Sequence, residues 1–263
     1  MDFNDTPQEA EFRKKVRSFL EANAEKRSTL AAKPKGDSGS SISSAGAPET
    51  VKGEDAAKVA LDNAKEWQRK KADAGFAAIL WPKEFGGYGG TPIEQVIYAQ
   101  EEHDYFVHSG YFEIGIGMLG PTMMAWGKDE DKKRFLPKMI TGEEIWCQLF
   151  SEPSAGSDLA GIRMKAEKDG DEWVLNGQKV WTSGAHFADY GMIVARSDPT
   201  ALKHKGLTYF YVDMKTPGIE AKPIKQISGS ANFNEVFFND VRIPDSQRIG
   251  AEGDGWKVSL TTL

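Results

Sequence analysis

Apolar side chains in the first half of the chain recur at helical spacing. In residues 6–24, TPQEAEFRKKVRSFLEANA, Thr6 caps, Pro7 takes the first helical position and Glu9 completes a capping box. Phe12, Val16, Phe19 and Leu20 then share one face. A second helix is predicted near 55–74, with Val59, Leu61, Ala64 and Trp67 among its apolar positions and Gly75 as its stop. A second capping box, TPIE at 91–94, starts a helix predicted to reach Phe106, and further helices are predicted over 110–125 and 129–140. Between them, WPKEFGGYGG reads as loop, because two Gly pairs and a Pro interrupt regular structure.

From Ile145 the pattern changes to short, alternating, β-branched or aromatic runs: EIWCQLF, RMKAEKDGDEWVLNGQKVWTS, YGMIVARS, LTYFYVDM, IEAKPIKQ and NEVFFNDVRIP. KDGDEW reads as a hairpin turn with Asp169 and Gly170 at its tip, and LNGQK as another. Strands at this spacing predict a small barrel or sandwich. DGWKVSLTTL, from 254, returns to helical rhythm and is expected to be a helix cut short. The segment 33–55, KPKGDSGSSISSAGAPETVKGED, is rich in Gly, Ser and Pro and is expected to be a flexible insertion.

Composition narrows the function classes. The 263 residues carry a formal net charge of -6 and no clustered basic surface, which argues against a nucleic-acid partner. The N-terminus MDFNDTPQEAEF has no signal-like apolar region, and no run is long enough to span a bilayer, so a soluble cytoplasmic protein is expected. The single cysteine, Cys147, excludes an internal disulfide and reads as a small buried hydrophobe. The four histidines, His103, His108, His186 and His204, lack ligand spacing, so no metal site is expected.

Three motifs read as decoys. GIGMLG, 115–120, has dinucleotide-loop spacing, but helix precedes it and Pro121 follows, so close helix packing explains it better. HFADY, 186–190, with Ser183 nearby, lacks the elbow of a hydrolase triad. EEHD, 101–104, reads as a solvated helix face.

What remains is QLFSEPSAGSD, 148–158, and GQKVWTSGAH, 177–186. Taken alone, the first is either a tight turn or a ligand loop. Each combines a strand end, an apolar or aromatic side chain and small hydroxyl residues. That mixture suits a flat redox ring, with apolar groups on its faces and donors at its edge. Trp181 is large enough to flank such a ring, although a core tryptophan is the ordinary alternative.

These residues resemble the signature of the acyl-CoA dehydrogenase family. The resemblance couples E-P-x-A-G-S-D, D-G-D-x-W, G-x-K-x-W-[TS]-[TS], FNEVFFNDVRIP and GDGWKVSLTTL in order, and extends to WPKEFGGYGG and TPIEQVIYAQEE. It implies an α+β multidomain fold: an N-terminal all-α helical domain over 1–144, a middle β-barrel flavin-binding domain over 145–250 and the start of a truncated C-terminal helical domain over 251–263. It implies FAD as cofactor, with Gln148, Phe150, Ser151, Gly156, Ser157, Trp181, Thr182 and Ser183 at the flavin and Ser157 also at the substrate. The implied reaction is α,β-dehydrogenation of an acyl-CoA to the 2-enoyl-CoA, with hydride transfer to flavin N5, in fatty-acid metabolism. The catalytic base would be a Glu beyond Leu263, so the fragment is expected to be inactive alone, and Glu152 is read as structural. Implied partners are the acyl-CoA substrate, an electron-transfer flavoprotein as acceptor and further copies in a homodimer or homotetramer. The alternative is a non-catalytic or partner-dependent member that completes a heteromeric enzyme.

Overall fold

The computed structural model describes residues 4–27 and 54–263. The expected flexible insertion at 33–55 therefore lies, up to residue 53, outside the described residues. The chain divides into two compact units, one of residues up to 110 with 140–142, the other of 111–139 with 143–263.

The first unit is built on α1 (Pro7–Asn23), α2 (Glu54–Asp73) and α3 (Pro92–His103). Both predicted capping boxes form: the Thr6 hydroxyl accepts from the Glu9 amide, and Thr91 does the same for Glu94. Phe12, Val16 and Leu20 of α1 enter one core with Trp67, Phe76, Ile79, Ile97, Tyr98 and Tyr105. α3 stops at His103, short of the predicted Phe106. Tyr105–Phe106 instead form a short strand, β2, that pairs antiparallel with β1 (Glu25–Lys26). Burial of Tyr105 in the core outweighs continued helix there. The EEHD stretch is less solvated than expected. Glu101 takes ion pairs from Arg13 (2.9 Å) and Arg17 (2.7 Å), and Glu102 accepts from the Trp67 indole (3.1 Å) and the Tyr98 hydroxyl (3.0 Å). The glycine-rich loop turns at Gly86 and Gly89, whose φ of 85° and 69° favour residues without a Cβ.

In the second unit, residues 115–119 form a π-helical turn that runs into α4 (Gly120–Trp126), followed by α5 (Asp129–Thr141). A dinucleotide loop needs a preceding strand, so this geometry removes the nucleotide reading of GIGMLG. Eight strands follow: β3 (Trp146–Leu149), β4 (Lys165–Asp169), β5 (Glu172–Ser183), β6 (Tyr190–Arg196), β7 (Leu207–Asp213), β8 (Ile219–Ile224), β9 (Phe233–Pro244) and β10 (Arg248–Ile249). They make one sheet in the order β10-β7-β6-β4-β5-β9-β8, with β3 parallel to β6. The pairing is an open path, so the expected barrel is not closed by hydrogen bonds. Its ends are β10, two residues long, and β8, where Pro223 can donate no ladder bond. The β4–β5 hairpin forms, but Asp169 pairs with Glu172, so Gly170 and Asp171 are its tip. The turn predicted at LNGQK is absent. β5 runs through it, with a register shift at Gly177 where β9 keeps pairing on both sides.

α6 (Gly255–Thr262) packs on β7, and a hydroxyl chain joins Tyr209 to Thr262 (2.9 Å) and Thr262 to Thr122 of α4 (2.9 Å). Phe135 of α5 meets Trp146, Tyr190 and Tyr211 edge-on. Such contacts put α4 and most of α5 in the same compact unit as the sheet.

Candidate functional site

The expected site residues come from two neighbouring strand ends. β3 delivers Gln148 and leads directly into Phe150 and Ser151, and β5 ends in Trp181, Thr182 and Ser183. The Val180 amide donates to the Ser151 carbonyl at 2.8 Å, which ties the two ends together. Phe150 is buried and packs edge-on against Tyr209.

A bulge shapes the β5 end. The β5–β9 pairing shifts between Lys179 and Thr182, and Trp181 sits inside that shift with φ of 59°. A left-handed backbone at a residue as large as tryptophan is uncommon and costs about 1 kcal/mol or more, and such outliers gather at functional sites. The bulge turns the indole outward: Trp181 is 59% exposed, whereas Thr182 is 2% exposed.

Among the described residues, five buried side-chain polar atoms have no hydrogen-bond partner, and two belong to expected site residues: Gln148 Nε2 and Thr182 Oγ1. An unpaired buried donor costs free energy, so a ligand that pairs with it binds with advantage. A flavin fits this setting, since its ring edge offers acceptors and its faces are apolar.

The 152–158 loop is both a tight turn and an open shelf. Glu152 and Ala155 exchange backbone bonds of 2.7 and 3.0 Å, which closes the turn over Pro153 and Ser154. Beyond it Gly156 and Ser157 are exposed, and a Cβ on Gly156 would meet nothing within 4 Å. Glu152 itself is buried and accepts from the Arg163 amide (2.6 Å), the Met164 amide (3.1 Å) and the Lys179 ammonium (2.9 Å). Both of its oxygens are thus taken by bonds within the chain.

Lys179 was not evident as a site residue in the sequence. It is 0% exposed, and its ammonium donates to the Phe150 carbonyl (3.0 Å), to Glu152 and to the Val194 carbonyl (2.8 Å). Burial lowers its pKa to about 8, against the opposing pull of Glu152, and the three acceptors around its nitrogen match the three protons of an ammonium. Asn234, on β9, is a second such residue. It is fully buried and donates to the Thr182 carbonyl (2.9 Å), while its own oxygen lies 2.8 Å from His186 Nδ1. An amide oxygen only accepts, so Nδ1 carries the proton and donates. The signal for both was a polar residue at an inward strand position.

The triad around His186 is not assembled, since His186 bonds Asn234 and Asp189 accepts from the Ile145 amide (3.0 Å). Burial pushes the Cys147 thiol up to about 12, far from a nucleophile's range. No group of three metal-ligating side chains is placed together among the described residues, and no described helix is long and apolar enough to cross a membrane.

Comparison with known proteins agrees with the sequence signature. Residues 47–143 match the acyl-CoA dehydrogenase N-terminal domain and residues 147–241 the middle domain. The chain is 49% identical over 192 residues to acyl-CoA dehydrogenase FadE34 of Mycobacterium tuberculosis, covering 73% of this chain and 27% of that protein. It is 42% identical over 204 residues to acyl-CoA dehydrogenase IpdE1 of the same organism, covering 78% and 53%. Among solved structures it resembles the ChsE4-ChsE5 complex from Mycobacterium tuberculosis, with a TM-score of 0.76 at 32% identity over 99% of this chain and 60% of that one. The chain thus spans from about a quarter to 60% of the length of these relatives. With two domain matches covering most of its length in the family's order, the chain belongs to the acyl-CoA dehydrogenase family.

Proposed function

We propose that this chain provides the N-terminal helical domain (1–144), the flavin-facing middle domain (145–250) and the first C-terminal helical residues (251–263) of an FAD-dependent acyl-CoA dehydrogenase. The observation that carries the reading is the pair of unpartnered buried groups, Gln148 Nε2 and Thr182 Oγ1, on strand ends that also present Trp181. When bound, FAD would supply the two-electron acceptor that takes the β-hydrogen of an acyl-CoA as hydride at N5, leaving the 2-enoyl-CoA. The chain's own residues would hold and dry that site. Gln148, Thr182 and Ser183 would supply polar contacts at the ring edge, and Phe150 and Trp181 the apolar cover that excludes water. Ser151 and Gly156 would let cofactor and thioester approach the backbone, and Ser157 would face the substrate. Both oxygens of Glu152 are engaged, which leaves it unsuited to take the α-proton. That base would be a Glu outside these residues, and an electron-transfer flavoprotein would take the electrons.

The test is the visible spectrum of the purified chain after incubation with FAD and desalting. A retained flavin band, lost in Thr182→Val/Gln148→Leu, supports the reading. A band retained equally by that variant removes these residues from the site.

A second reading is favoured by one observation, the likeness to a complex named for two proteins, ChsE4 and ChsE5. In it the chain completes a heteromeric enzyme instead of a homodimer or homotetramer. Mass measurement of the assembly separates the two, since only the heteromer contains a second sequence.

A further inference from the structure

The 150–164 segment buries Phe150, Leu159, Ile162 and Met164, and its start must also stay in register with the Trp181 bulge. Backbone pairing does part of this. The β5–β9 ladder skips Val180 and Trp181, and across that gap the segment's backbone link to β5 is the Val180–Ser151 bond.

Lys179 and Glu152 fill the gap. The three protons of the ammonium meet three acceptors, one at the end of β3 (Phe150), one in the loop (Glu152) and one on β6 (Val194). The carboxylate carries the restraint onward, through its bonds from the Arg163 and Met164 amides, to the far end of the loop. Two side chains thereby fix both ends of the 152–163 excursion to the strand that bears Trp181. Glu152 is the one titratable group bonded to the ammonium; the other two contacts are backbone carbonyls.

We propose that the Lys179–Glu152 pair is a positioning clamp that holds the Phe150–Ser151 strand end and the following loop in register with the Trp181–Thr182–Ser183 bulge. What the clamp positions follows from the flavin-site reading above; that it clamps follows from the bonds alone. A buried ion pair is poor support for global stability, because desolvation offsets most of its attraction. Its contribution here is local order.

Lys179→Met alone would strand a buried carboxylate, so the test uses the paired variant Glu152→Gln/Lys179→Met, which removes both charges together. Amide hydrogen exchange is followed by mass spectrometry on the 263-residue chain without FAD. Peptides over 150–164 and 179–183 should exchange about tenfold faster or more than in the parent, while those over β7 and α3 keep their rates. An equal rise in all four peptides would show an ordinary core pair and overturn the clamp, and unchanged rates at 150–164 would overturn it too. FAD added to the parent chain should slow exchange in the same two segments. Absence of that slowing counts against the flavin reading and leaves the clamp result standing.

Discussion

Replacing Thr182 with valine should stabilise the free chain and weaken its hold on FAD. Thr182 is 2% exposed, and its hydroxyl is shielded from water without a hydrogen-bond partner among the described residues. A hydroxyl in that state costs roughly 1–3 kcal/mol of desolvation. Valine has nearly the same shape and suits a strand, so packing and propensity change little. The expected net gain is about 1 kcal/mol. In a unit of this size that corresponds to a rise of about 2–4 °C in Tm. If the hydroxyl pairs with the cofactor, its removal forfeits a bond worth about 1 kcal/mol, or about a fivefold weaker Kd. Thermal melts without FAD, followed by FAD titration of both proteins, measure the two effects separately. A lower Tm for Thr182→Val in the absence of FAD would refute the reasoning, because the hydroxyl would then be satisfied in the free chain.

Three further outcomes are expected. Trp181→Gly should leave the stability of the free chain, read from thermal melts, unchanged or raise it by up to about 1 kcal/mol, because glycine accepts φ of 59° without strain and the indole is largely exposed; FAD retention should fall. Trp173→Phe removes the 2.7 Å indole bond to Asp245 and should cost about 2 kcal/mol at pH 7, read from denaturant melts. Arg248 and the Trp173 indole hold the Asp245 carboxyl below its ordinary 3.8, so this stability is present above that value and is lost as pH falls below it. The gap between Trp173→Phe and the parent should therefore narrow in acid, and a constant gap would contradict the assignment. Gly255→Ala should cost about 2–3 kcal/mol by forcing α6 off the sheet, because its Cβ would sit 2.6 Å from the Leu207 carbonyl carbon and 2.7 Å from the Thr208 nitrogen, both backbone. A melt matching the parent would show that α6 is free to shift.

The helices were legible because their ends are local chemistry. Thr6 with Glu9 and Thr91 with Glu94 announce their own boundaries within four residues. Long-range terms decided the misses. His103 ends α3 because Tyr105 is wanted in a core assembled from residues as distant as Phe12, which no local window contains. LNGQK has turn composition, but β9 overrides it by pairing on both sides of Gly177. At the site, Lys179 falls in alternation with the inward-facing Trp173 and Leu175, but the three acceptors around its ammonium come from the end of β3, the following loop and β6, which no local window contains. Asn234 was hidden for the same reason, since its partner Thr182 lies 52 residues away.

The parallel pairing of β3 with β6 has a kinetic consequence. Trp146 aligns with Tyr190 and Leu149 with Ile193, so 40 residues and two other strands intervene before β3 finds its neighbour. A hairpin such as β4–β5 can close in microseconds, but a parallel ladder must wait for its crossover to be arranged. The Phe150–Ser151 end of β3 should consequently order late in folding, after β5, β6 and β7 have met. The part of the chain that carries the candidate cofactor site would then be the last to form, and a newly made chain would pass through a state with most of its sheet in place and no seat for a flavin.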